Sequence, residues 1–280
     1  MQFPEEIHFP SLQDAPALEN AYSIAMQKGG VGKTVTAICV AAAVARAGRT
    51  TLLVDMDPQA SATIYFKYLL KAPITESMYN LLVEGKPIKP IKLGRYVSLL
   101  PAHVDLAAAN QLFAALPTTR ELPNRVLARA LAPYAPHVDY IIIDCPPSLD
   151  LLTKNALTAA RYVIIPVSTE EMSEDALPNM LNTVQDVRRD LRNGNNPTLE
   201  VRCLLPTLHS AREREANSTL ARIHEEYGKD YCIYPPVLRK TKYKKAVSQS
   251  VDVGALDPEL AGYWNKFTAT MIFQESQVAP

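Results

Sequence analysis

The chain has 280 residues, 29 basic and 29 acidic side chains for a formal net charge of zero, and 48% hydrophobic and 21% charged residues. This is the composition of an ordinary globular protein long enough to bury a substantial core. It excludes a chain whose overall field attracts nucleic acid, so any such affinity has to come from a local patch.

Residues 1–20 carry Glu5, Glu6 and Asp14, two prolines by position 10 and no basic start. They do not read as a signal peptide and are taken as an N-terminal arm ahead of one domain over 21–280. The apolar run 21–26 reads as a strand and 36–47 as a helix. Between them stands Lys28-Gly29-Gly30-Val31-Gly32-Lys33-Thr34. Strand, tight glycine turn and helix N-terminus together form the context of a phosphate-binding loop. Glycine backbone N–H groups close around phosphate oxygens, the helix dipole favours the anion, and a lysine supplies a point charge. The strict pattern requires a glycine five positions before Gly32, where Gln27 stands, and a second lysine, Lys28, heads the loop. Lys28 adds charge to a loop already served by Lys33, and is either a solvated loop residue or one that needs extra phosphate to offset it.

Further strands are predicted at 51–54, 97–100, 140–143, 162–167 and 201–205, with another near 231–234. Helices are predicted at 104–116, 124–131, 150–160, 174–191 and 211–227. Ile141-Ile142-Ile143 and Val163-Ile164-Ile165 are apolar without alternation, as strands covered on both faces are. The expected fold is α/β: a single doubly wound, mostly parallel sheet with helices on both faces and ligands at the carboxyl ends of the strands.

Two strands end in aspartate, as Val54-Asp55-Met56-Asp57-Pro58-Gln59 and as Ile143-Asp144-Cys145-Pro146-Pro147-Ser148. A strand-end carboxylate beside a phosphate loop suits a magnesium ion, which keeps several waters and needs few protein ligands. Thr34 is then the direct ligand with Asp144 behind it, and Asp57 orients an attacking water; Thr34, Asp144 and Asp57 form the candidate metal set. The plainer readings are that Asp57 caps a helix starting near Gln59 and that Asp144 satisfies backbone donors of the Pro-Pro turn.

In the order and spacing of these three motifs the chain resembles the ParA branch of the ParA/MinD deviant-Walker P-loop ATPases, with specific motifs and a looser match in the last third. The resemblance implies an ATP- and Mg²⁺-dependent ATPase that forms a nucleotide-sandwich homodimer, with residues 28–35 binding nucleotide. It implies that Lys28 crosses to the partner's nucleotide, that Lys33 contacts the β- and γ-phosphates of its own, and that Asp57 is the switch aspartate needed for hydrolysis. Val35 departs from the second Thr or Ser usual in the family; the position would supply its backbone N–H. Adenine contacts are expected in the loops after Leu205 and Tyr234.

Arg239-Lys240-Thr241-Lys242-Tyr243-Lys244-Lys245 places five positive charges in seven residues, and no acid lies between Tyr231 and Val251. Such a cluster is either a solvated helix face or a sequence-independent, salt-sensitive DNA surface. The family's non-specific DNA binding as ATP dimers favours the second, with Arg239, Lys240, Lys242, Lys244 and Lys245 as contacts and Arg188, Arg189 and Arg192 as possible extensions. Tyr243 either packs on a sugar or anchors its helix.

The stretch 258–274 carries Leu260, Tyr263, Trp264, Phe267 and Met271 at helical spacing with only Lys266 as a cation, which suits packing on the domain better than a MinD-like membrane tail. The cysteines Cys39, Cys145, Cys203 and Cys232 form no Cys-x-x-Cys pair. That disfavours a cluster-carrier relative and suits a reducing cytoplasm. Twenty residues ahead of the first strand cannot hold the helix-turn-helix of a specific regulator. The sum of these expectations is a cytoplasmic, nucleoid-associated partition or positioning ATPase, switched by ATP and released by a ParB-like or other cargo adaptor, with no membrane partner.

Overall fold

In the computed structural model, residues 1–4, 7–70, 73–114, 122–170, 175–190 and 195–274 are described. In chain order the elements are β1 (Leu18–Ile24), α1 (Lys33–Arg46), β2 (Thr51–Asp55), α2 (Ser61–Tyr65), α3 (Met78–Leu82), β3 (Ile91–Lys92), β4 (Val97–Leu100) and α4 (Ala109–Ala114). They continue as α5 (Val126–Leu131), β5 (Tyr140–Asp144), α6 (Leu151–Ala159), β6 (Ala160–Ser168), α7 (Ala176–Arg189) and β7 (Glu200–Thr207). The chain closes with α8 (Arg214–Tyr227), α9 (Thr241–Gln249), α10 (Val253–Leu256) and α11 (Pro258–Met271).

The strands form one seven-stranded sheet in the order β3-β4-β2-β5-β1-β6-β7. Every pairing is parallel except β3 with β4. Alternate side chains enter two separate apolar layers. Leu52, Val54, Ile141, Ile143, Val163 and Ile165 face one layer; Leu53, Ile142 and Ile164 face the other, together with α1 and α11. The unbroken apolar strands are therefore covered on both faces by period-two alternation, and the expected doubly wound sheet is present.

Several boundaries differ from the sequence-based expectation. β1 starts at Leu18, inside the stretch taken as an arm, and ends at Ile24. The rest of that stretch is packed down: Met1, Phe3, Ile7, Phe9 and Leu12 lie against the first apolar layer. Arg129 Nε donates to the Pro10 carbonyl at 2.9 Å and Arg125 Nη1 to that of Gln13 at 3.0 Å. The predicted strand near 231–234 makes an isolated bridge, Leu204 with Ile233, because the chain beside β7 is interrupted by Pro235 and Pro236, which cannot donate to a ladder. β3, only two residues long, carries no period to read. Helix α7 runs Ala176–Arg189; Glu174, Leu191 and Arg192 lie outside the described residues, as does Leu116 of the predicted 104–116 helix. That stretch begins as a 3-10 turn over Val104–Ala108 before α4. Helix α11 buries Leu260, Trp264, Phe267 and Met271 against the domain, as its stripe predicts.

Candidate nucleotide site

The loop from Met26 to Lys33 joins the end of β1 to α1 at the carboxyl edge of the sheet. Gly30 and Gly32 have φ of 75° and 86°, the left-handed region where a Cβ is strained. A Cβ at Gly29, Gly30 or Gly32 would meet nothing within 4 Å, so the loop faces open space. Gly32 is the N-cap of α1 with no side-chain cap and no acid in the first turn. The first N–H groups of a 14-residue helix are thus left for an anion, with the helix dipole behind them. Val31 is buried, and its carbonyl accepts from the Thr207 hydroxyl at 2.8 Å, which ties the loop to the end of β7.

Lys33 is 7% exposed, and its Nζ donates to the Lys28 carbonyl at 2.8 Å, spanning the loop. Burial pulls the Lys33 pKa down, and Asp144, Cys145 and Asp57 oppose that. Thr34 and Val35 follow in the first turn, both half-buried, and Lys28 is half-buried at the loop's head.

Asp55 and Asp144 are register partners at the ends of β2 and β5, and both are fully buried. Asp55 is well satisfied: it accepts from the Thr63 hydroxyl at 2.7 Å, from Thr63 N at 2.8 Å and from Asp57 N at 3.2 Å. Burial still raises its pKa to about 6. Asp144 is different. Neither carboxylate oxygen closes a hydrogen bond; the nearby Thr34 hydroxyl and Lys33 only temper a strong upward shift that comes first from burial and then from Asp55. Asp144 therefore does not serve the Pro-Pro turn, and an unsatisfied buried carboxylate costs stability unless a partner arrives.

Asp57 is 8% exposed, and its Oδ1 accepts from Gln59 N at 2.9 Å. It caps the tight turn of residues 57–60, closed by Ala60 N on the Asp57 carbonyl at 2.8 Å, while α2 itself begins at Ser61. Asp57 therefore does not cap a helix, since Ala60 is the N-cap of α2 without a side-chain cap; it closes the preceding turn, with its carboxylate beside Lys33 and Asp144. Among the described residues no three His, Cys, Asp or Glu side chains form a metal-binding group. A caged metal is therefore not built here. The donor set present, one hydroxyl at Thr34 with an orphaned carboxylate behind it, fits a cation such as Mg²⁺ that keeps most of its waters.

The basic segment is divided by the fold. Arg239 Nη1 pairs with Glu170 Oε1 at 2.6 Å and lies 3.9 Å from Glu213, and Lys240 pairs with Glu259 and, at 3.6 Å, with Asp257. The acid-free window in sequence is thus supplied with acids from elsewhere. Lys242, Lys244 and Lys245 are exposed on α9 and have no ion pair among the described residues. Ala246 is buried beneath them, and Tyr243 accepts a hydrogen bond from Trp264 Nε1 at 3.0 Å. Tyr243 is therefore the anchor of α9. Arg188 and Arg189 are exposed on α7.

Thr207 and Asp55 went unnoticed in the sequence as site residues. Asp55 carried a signal, the Asp-x-Asp at a strand end; Thr207 carried none, since its role depends on β7 lying next to β6. The loops after β7 and after Tyr234 run side by side, with His209 N on the Val237 carbonyl at 3.0 Å and Arg239 N on the His209 carbonyl at 2.9 Å.

The comparison with known proteins matches this geometry. A family model described as an AAA domain covers residues 20–201. The chain is 36% identical over 244 residues to the sporulation initiation inhibitor protein Soj of Bacillus subtilis, covering 86% of this chain and 92% of that one. This chain belongs to the ParA/Soj family of partition ATPases. It is also 40% identical over 215 residues to the chromosome partitioning protein ParA of Myxococcus xanthus, covering 74% of this chain and 71% of the relative. Among solved structures, the cobyrinic acid a,c-diamide synthase of Mycobacterium smegmatis with bound ATP analogue and magnesium superposes with a TM-score of 0.74 at 30% identity, covering 94% of this chain and 98% of that one.

Proposed function

We propose that this ParA/Soj-type chain is an ATP-dependent partition or positioning ATPase. In this reading ATP drives a sandwich homodimer that binds duplex DNA without sequence preference, and hydrolysis stimulated by a cargo adaptor releases it. The observation that supports this most is the joint geometry of an uncapped α1 N-terminus, buried Lys33 and the orphaned Asp144.

Residues 28–35 bind the phosphates, with Lys33 leaving the Lys28 carbonyl for the β- and γ-oxygens. Thr34, Asp144 and Asp57 would hold Mg²⁺, which would supply charge neutralisation on the phosphates. Asp57 orients the water that attacks the γ-phosphoryl group in line, releasing ADP and phosphate. Catalysis is positioning plus charge stabilisation, to which Lys33 contributes in its own subunit and Lys28 in the facing one. Lys242, Lys244 and Lys245 meet DNA phosphates, with Arg239 and Lys240 holding the segment in place through their ion pairs. No described helix is long and apolar enough to cross a membrane, and a nucleoid-associated life in the cytoplasm follows from the DNA reading.

The test is binding to unrelated duplexes with ATP, ADP or no nucleotide across a salt series. ATP-dependent, salt-sensitive binding supports the cycle. Absence of binding in every nucleotide state sinks the DNA carrier and leaves a nucleotide-switched dimer with another partner.

A further inference from the structure

A pocket of about 330 Å³ opens away from the phosphate loop, between the far end of α1, the turn after α2, the β3–β4 hairpin and the segment after α9. Its walls are apolar: Ile38, Ala42 and Ala45 of α1, Phe66 and Leu69, and Leu93 of the hairpin. The two alanines matter, because small side chains on the outward side of α1 leave the space that larger ones would fill. Leu69 is 46% exposed at the rim, and Ile64 and Tyr68 on the same stretch are 56% and 66% exposed.

Three charged residues line it. Arg46 and Asp252 neutralise each other in an ion pair, and Asn265 accepts from Arg46 Nε at 2.8 Å. Arg95 has no carboxylate partner among the described residues; its guanidinium rests 5.2 Å from the centroid of Tyr96. The pocket thus presents an apolar trough and one exposed guanidinium beside an aromatic ring, without a carboxylate partner among the described residues. At about 30 Å³ for each water-sized group, the volume admits roughly ten methylenes.

We propose that this pocket binds a small amphipathic anion, a medium-length aliphatic carboxylate with its chain in the trough and its head on Arg95. Arg favours carboxylate oxygens through its planar fork, and the trough gains from removing apolar area from water. The walls join the site to the rest of the molecule. α1 begins at Lys33, the 66–69 turn follows α2 and the Asp57 turn, and Ser250 and Asp252 lie just past the basic helix α9.

The test is calorimetric titration of the full-length chain, without nucleotide, using decanoate below its aggregation range. Decanol and decyltrimethylammonium serve as neutral and cationic controls. Expected is saturable one-to-one binding of decanoate, weakened about tenfold or more by Arg95→Glu, abolished by Ala42→Trp, and absent for the cation. Arg95 is exposed, so its variant folds even where Ala42→Trp disturbs packing. No saturable binding to the wild type, equal binding of anion and cation, or binding unchanged in Arg95→Glu each overturns the assignment. Nucleotide is left out so that the result stands apart from the ATPase reading.

Discussion

Asp55 and Asp144 sit side by side on adjacent parallel strands, one fully hydrogen-bonded and the other with both oxygens unsatisfied. Two buried carboxylates on adjacent strands repel when ionised, and Lys33 only partly offsets this at Asp144. The pair makes this site a place of electrostatic cost that a bound cation would relieve.

The first prediction concerns pH. Both folded-state pKa values are raised, Asp55 to about 6, so the folded chain holds protons that the unfolded chain releases. For Asp55 the associated stability is present below the unfolded value near 4 and is lost as pH rises through about 6; for Asp144 the loss runs in the same direction. A shift of about two units corresponds to roughly 3 kcal/mol. In chelator without nucleotide, Asp144→Asn should unfold a few degrees higher than wild type at pH 7 and show a shallower loss of stability between pH 4 and 7. A wild-type profile that rises over that interval for this pair, judged by difference from Asp144→Asn, would contradict the burial argument. The same variant should lose Mg²⁺-dependent nucleotide affinity.

Lys33 and Lys28 should separate by function. Lys33→Ala removes a buried charge from the phosphate cradle and should weaken nucleotide binding by two orders of magnitude or so, from loss of charge-assisted hydrogen bonds. Lys28→Ala should leave monomer affinity within a few fold and abolish ATP-dependent dimerisation. Sedimentation with a non-hydrolysable analogue, beside a nucleotide titration, reads both; loss of nucleotide binding in Lys28→Ala would remove the cross-subunit role.

The divided basic segment gives a third expectation. Replacing Lys242, Lys244 and Lys245 by Ala should lower the salt slope of DNA binding by up to about three per protomer, since each neutralised phosphate contributes about 0.9. Arg239→Ala should change that slope little, because its charge is already spent on Glu170. A slope change of about 0.9 in Arg239→Ala, as large as one lysine contributes, would show that the ion pair breaks on DNA.

Thr207→Val tests the tie between β7 and the loop. It deletes one hydrogen bond to the Val31 carbonyl at nearly constant volume, worth about 1 kcal/mol. Nucleotide affinity should fall about fivefold while the thermal midpoint moves by only a few degrees. An unchanged affinity would mean that the loop holds its shape without β7.

The fold class was legible because strands such as Ile141-Ile142-Ile143 are apolar at every position, a pattern that only two-sided cover explains. The phosphate loop was legible because its chemistry is contiguous: glycines, lysines and the helix start lie within one turn of chain. Local order in sequence also placed Asp144 at a strand end and Asp57 just past one. What the sequence could not determine depends on which strands become neighbours. The pairing of Asp55 with Asp144 needs β2 beside β5, and the role of Thr207 needs the end of β7 beside the loop. The capture of Arg239 and Lys240 by Glu170, Asp257 and Glu259, which leaves three lysines of α9 outward, needs acids brought from distant segments. Charge and hydrogen bonding act over a few ångströms of space, whatever the separation along the chain, and only the folded arrangement decides which groups fall within that reach.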